Sequence, residues 1–355
     1  MSAASQAAEI NSATIAARSI AQKRLDEQAA KLRDLIAALA NDIADQVRRY
    51  AGPDGTVNAA QIPSIRAYLG GRLQAFLQRY GTLIDESLNV AAVVGADILP
   101  LTGAIVPQSS LVTDVLQFVR DFRGADGLNL SARIWRVSRQ TSDAISQAIQ
   151  NGILRGQTAA QAAREYIAQG LPVPAELASG IAAGSASTLG RVALDLLTNP
   201  DAAGDPGYNL ERVLRTEMNR AYTQSYASSA SQHPDFAGVK FNLSPAHPKT
   251  DICDMYARAN LYGLGAGVYP KDQSPWPAHP NTLSFLTTVF ADQVSQADID
   301  GAQTWADWLG DQAPDVQDAV LAGAKKGEAF RAGQLELGDL RKPWRDIAPR
   351  LGIGT

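Results

Sequence analysis

Apolar residues recur with the helical period of about 3.6 along most of this chain; they alternate with the strand period of two in only two stretches. Those stretches are GVKFNLS (238–244), where Val239, Phe241 and Leu243 point one way, and TLSFLTTVF (282–290), where Leu283, Phe285 and Val289 do the same with Thr287 between them. Many helices and two strands is a tight constraint. It predicts a mainly α fold with a small α+β C-terminal domain: a helical N-terminal region, then one two-stranded antiparallel sheet with long loops.

The helical half reads clearly. Leu25, Leu32, Ile36, Leu39, Ile43 and Val47 form one stripe on a helix predicted over 3–50, which AGPDG (51–55) stops. Such a stripe packs on a partner helix of the same bundle, or on a partner protein. A second helix follows Pro63, with Ile65, Leu69, Leu73, Phe76 and Leu77 on its apolar face, and further helices are predicted near 109–123 and 131–153. In GQTAAQAAREYIAQGL (156–171), Thr158 is a candidate N-cap and Gly170 a candidate stop. The clearest linker is PDAAGDPG (200–207), which sets the expected boundary between a helical region, 1–206, and a second domain, 207–355. The next helix, 208–231, gathers Leu210, Val213, Leu214, Met218, Ala221 and Tyr222 on one face. After residue 291 the pattern returns to helix, roughly 295–309 and 314–332.

A net charge of −4 gives no global basic field to draw the chain onto nucleic acid or acidic lipid. The N-terminus lacks the apolar core of a secretory signal. The stretch LNVAAVVGADILPLTGAIVP (88–107) has the length of a membrane span, but Asp97 and Pro100 favour two short buried helical segments. No stable membrane insertion is expected.

All three histidines and the single cysteine lie between 233 and 279. If the two strands pair antiparallel, His247 and His279 sit at the two roots of the loop 248–278, and Asp251 and Cys253 can fold back to the same place. Three purposes compete. His247, Asp251, Cys253 and His279 have donor types that suit a tetrahedral metal ion, although no second cysteine stands at CxxC spacing and Tyr256 occupies that position. A histidine could act as general base, or a metal could activate water. Or the side chains form a polar knot that satisfies the backbone of a long loop.

These residues also carry a resemblance. LRTEMNRAY (214–222), a strand, HPKTDICDMY (247–256), a glycine-rich loop, PWPAHPNTLSF (275–285) and a closing strand resemble the phage head morphogenesis family, the Mu F-like minor head proteins. Arg215, Thr216 and Glu217 match the family's helix motif, Asp251 and Cys253 its Asp-x-Cys segment, and Pro275, Pro277, His279, Pro280 and Asn281 its proline–histidine motif. The stretch 319–340 is also similar to the helix and Gly-x-hydrophobic run found downstream of these motifs in such proteins, so the resemblance covers roughly 208–340. Where the family has Cys-Arg-Cys, this chain has Thr282, Leu283 and Ser284; with those thiolates gone, neither a metal nor another cofactor is expected. The resemblance implies a non-enzymatic structural protein of the bacteriophage virion, assembled in the host cytoplasm. It would be a low-copy minor head (minor capsid) protein bound to the portal, acting in head assembly and in DNA packaging or ejection. Scaffold or major capsid protein and packaged DNA are further candidate contacts, and the helical region is the candidate portal-docking surface. The alternative is a metal-dependent hydrolase or nuclease that uses His247, Asp251 and His279.

Other residues carry weaker signals. Arg215 and Glu211 are spaced as an i,i+4 pair, and a buried Arg–Glu contact with the loop is the favoured reading of the Arg215/Glu217 motif. Arg133, Arg136 and Arg139 form a ridge that reads as a solvated face or a phosphate contact. Trp305 and Trp308 suit a core, and Trp276 a loop cap.

Overall fold

The computed structural model describes residues 3–124, 127–169, 172–198, 206–276, 278–279, 282 and 284–353. It is mainly helical, with a small antiparallel sheet near the C-terminal end of the chain. The helices are α1 (Ala3–Arg49), α2 (Ile62–Ala96), α3 (Gln108–Asp121), α4 (Leu130–Ala168), α5 (Ala175–Ala183), α6 (Ala186–Thr198), α7 (Pro206–Ala230) and α8 (Ile252–Arg258). Five short ones complete the chain: α9 (Gln296–Asp300), α10 (Trp305–Gly310), α11 (Pro314–Val320), α12 (Ala324–Arg331) and α13 (Trp344–Ile347). The strands are β1 (Phe236–Asn242), β2 (Val268–Tyr269) and β3 (Phe285–Phe290).

α1 runs so long because no Gly or Pro interrupts it before Gly52, and its last turn carries Arg48 and Arg49 against the helix dipole. It ends where Gly52 N–H bonds Thr56 O at 2.8 Å.

Contacts divide the chain into two compact units, one of residues 26–87 and 131–214, the other of 1–25, 88–130 and 215–355. The expected boundary at 206/207 cuts the chain once. The units are instead assembled from separated segments, because α1, α2 and α7 each supply residues to both.

The all-helical unit buries the α1 stripe from Leu32 to Val47, together with Ile65, Leu69, Leu73, Phe76 and Tyr80 of α2 and Ile145, Ile149 and Ile153 of α4. Tyr80 donates its hydroxyl hydrogen to Leu210 O at 2.8 Å. The α1 stripe is therefore covered by the chain itself, which corrects its use as a portal-docking surface. α4 continues to Ala168, so Thr158 is no N-cap; it lies mid-helix and its hydroxyl bonds back to Leu154 O at 2.9 Å. Gly170 and positions 200–205 of the linker lie outside the described residues; Pro206 and Gly207 already belong to α7.

In the other unit, β1 pairs antiparallel with β3, as the two alternating stretches predict. Two details differ. The sheet has three strands in the order β2-β1-β3, because Val268 and Tyr269 pair with Lys240 and Val239. Two residues are too short for alternation to register. The buried face of β3 carries Leu286, Thr288 and Phe290 rather than Phe285, Thr287 and Val289, which are half-buried. Both faces of β3 are partly covered, since the Arg18 guanidinium lies 3.6 Å from the Phe285 ring centre, and that blurs the period. The core joins Val239, Phe241, Leu286 and Phe290 to Tyr226 of α7, Cys253 and Met255 of α8, Leu309 and Leu321. Within it the Tyr226 hydroxyl lies 2.8 Å from Thr288 Oγ1 and takes a hydrogen bond from Thr14 of α1.

The apolar stretch 88–107 holds the end of α2 and then a short 3-10 helix at Leu99–Thr102, two helical segments as expected, with Leu88, Ala92, Ile98 and Leu99 buried. Among the described residues no helix is long and apolar enough to cross a membrane.

Candidate functional site

α8 organises the site. Asp251 is its N-cap: its backbone is extended and its Oδ1 accepts the Cys253 N–H at 2.7 Å. Asp254 Oδ2 reaches back to accept the Asp251 N–H at 3.0 Å, which closes a capping box. The sequence DICD is thus sufficient to build this corner locally. Before it, the turn at Pro245 and Ala246, closed by His247 N–H to Ser244 O at 2.9 Å, brings the His247 ring over the same helix end.

Both histidines then converge on the two carboxylates. His247 Nε2 lies 2.9 Å from Asp254 Oδ2 and 3.9 Å from Asp251 Oδ1. His279 Nε2 lies 3.3 Å from Asp251 Oδ2. Arg258, one turn further along α8, closes on Asp254 Oδ1 at 3.1 Å. Burial raises the Asp251 carboxyl, but hydrogen bonds from His279 and from the Cys253 N–H outweigh it and lower the pKa to about 2. Cys253 is fully buried, with Sγ 3.8 Å from Thr282 Oγ1. Four expected site residues, His247, Asp251, Cys253 and His279, therefore do meet at the two loop roots. Asn281, with Pro277 and Pro280, lies outside the described residues.

The donor atoms fall into two sets of three, each within 4.8 Å: Asp251, Cys253 and His279, and His247, Asp251 and Asp254. Asp254 was legible in principle, since acidic residues three apart at the start of an apolar run spell a capping box. Arg341 had no local signal. It donates to Tyr256 Oη at 3.1 Å and to Pro275 O, and so ties the distant C-terminal segment to the loop.

Glu217 is buried and pairs with Arg220, one turn along α7; the Arg220 guanidinium sits 4.2 Å from the Phe122 ring centre. Glu211 accepts a two-pronged hydrogen bond from Arg33 at 2.9 and 3.1 Å. Asn219 ties α7 to the segment after the loop, its side-chain amide donating to Thr282 O at 2.7 Å. The arginine ridge is incomplete: Arg133 is buried, while Arg139 lies 3.7 Å from Asp143 and stacks by Trp135. Trp276 packs on Phe241, with ring centres 5.7 Å apart, and Trp308 joins the core.

Comparison with protein-family models, with curated proteins and with solved structures gave no match for this chain.

Proposed function

We propose that this chain is a bacteriophage minor head protein: a non-enzymatic structural component of the virion, assembled in the host cytoplasm and held in low copy at the portal. Its work there is in head assembly and in DNA packaging or ejection. One observation supports the reading above others. The three separated segments that carry the family resemblance lie in one compact unit, with Asn219 beside the helix motif bonded to Thr282 beside the histidine motif.

The carboxylates favour a structural use of the cluster. Asp251 and Asp254 both cap α8; Asp254 also receives His247 and Arg258, while Asp251 turns its second oxygen, Oδ2, to His279. The same convergence of His247, Asp251 and His279 is what a metal-dependent hydrolase or nuclease would need, and that is the second reading. Replacing His279 with Ala separates them: a folded variant that loses a measured hydrolytic activity favours the enzyme. For the structural reading, the chain mixed with purified portal rings should co-sediment at a fixed stoichiometry. Absence of any complex at micromolar concentrations would count against it.

With the α1 stripe buried, portal or packaged-DNA contact falls to exposed faces. Arg136 and Arg139 on α4 are exposed basic candidates.

A further inference from the structure

We infer that Asp251, Cys253 and His279 form an exchangeable site for one borderline divalent cation of the zinc or cobalt(II) type. Such a site is independent of the portal reading. Three features of the geometry carry it. The set mixes oxygen, sulfur and imidazole nitrogen, the donors that zinc takes, and its ligand atoms all lie within 4.8 Å of one another. The Asp251 Oδ2 to His279 Nε2 distance, 3.3 Å, also matches the ligand–ligand edge, about 3.3 Å, of a tetrahedron with metal bonds near 2.0–2.1 Å. And the donors are divided in their duties: Oδ1 of Asp251 caps α8, while Oδ2 faces His279.

The neighbouring set is the poorer site. His247, Asp251 and Asp254 are locked by the 2.9 Å contact of His247 with Asp254, and Arg258 supplies a cation there already. Asp254 and His247 instead hold the Asp251 corner in place, the supporting role that outer carboxylates and imidazoles play around metal ligands. Three protein donors leave a fourth position for water, so the site is open and weaker than a four-ligand structural site. An ion there would tie Asp251 and Cys253 at the first root of the long loop to His279 at the second. Neither Thr282 nor Ser284, which stand where the family has thiols, is required.

Because the chain has a single cysteine, one experiment identifies the ligand without any variant. Chelator-stripped full-length protein is titrated with cobalt(II) and followed by absorption. A thiolate-to-cobalt charge-transfer band with four-coordinate visible bands, saturating at one equivalent and bleached by zinc, is the expected result. Cys253→Ser should remove the charge-transfer band, and His279→Ala should weaken binding at least about tenfold, in proteins that keep the wild-type circular dichroism. Absence of a charge-transfer band at millimolar cobalt, or cobalt binding without that band, would overturn the assignment.

Discussion

His279 Nε2 faces Asp251 Oδ2 at 3.3 Å, so the residue that opens α8 is joined to the far root of the 248–278 loop. The same carboxylate caps the helix through its other oxygen. One aspartate therefore fixes both a local and a long-range feature.

That arrangement has a pH signature. The Asp251 carboxyl is lowered from 3.8 to about 2 in the folded chain, so its stabilisation is complete above the unfolded value and is lost as pH falls through the folded one. Thermal unfolding followed from pH 5 down to pH 2 should show the melting temperature dropping below about pH 4. In Asp251→Asn the profile should be flatter over that range and the protein less stable at pH 7. An unchanged profile would show that the His279 contact contributes nothing.

Glu217 and Arg220 make a buried ion pair. Removing one partner strands the other charge in the core, so Glu217→Ala should cost about 3–5 kcal/mol in chemical denaturation. Replacing both together, Glu217→Leu with Arg220→Met, should recover most of that loss. If the single variant costs less than about 1 kcal/mol, the pair is solvated in a way its burial does not suggest.

Two glycines on α2 should respond with opposite signs. A Cβ on Gly95 would lie 2.3 Å from Tyr222 O, where α2 crosses α7 and Ser225 bonds Ala92 O, so Gly95→Ala should destabilise by about 1–3 kcal/mol. Gly71 is an exposed helical position with open space around it, and Gly71→Ala should stabilise by about 0.5–1 kcal/mol. Urea denaturation of both variants checks the pair.

Deleting residues 1–50 should unfold the protein rather than free a docking surface. The segment carries Ile10, Leu32, Ile43 and Val47, all essentially inaccessible, and Thr14, which bonds Tyr226. Loss of cooperative melting is the expected result. A truncated chain that still melts cooperatively would mean that α1 is an appendage.

Long-period order was legible in the sequence wherever one face alone is buried. The α1 stripe read correctly because a helix with one apolar face has one solution. β3 was placed but read one residue out of phase, since Arg18 and Leu286 cover opposite faces and the contrast between positions fades. β2 was invisible because two residues are too few for alternation to register. At the site, strand pairing placed His247 and His279 at the two loop roots, and the α8 capping box brings Asp251 and Cys253 back to them. The partners Asn219 and Arg341 were not legible, since they act through tertiary contacts that leave no periodic trace.

Whether this chain is a low-copy part of the phage head is tested most directly by quantitative mass spectrometry of purified DNA-filled virions, counting the chain against the portal protein. A few to about a dozen copies per portal ring is the predicted result. Absence from the particle would contradict it and turn attention to the His279 cluster as an active site.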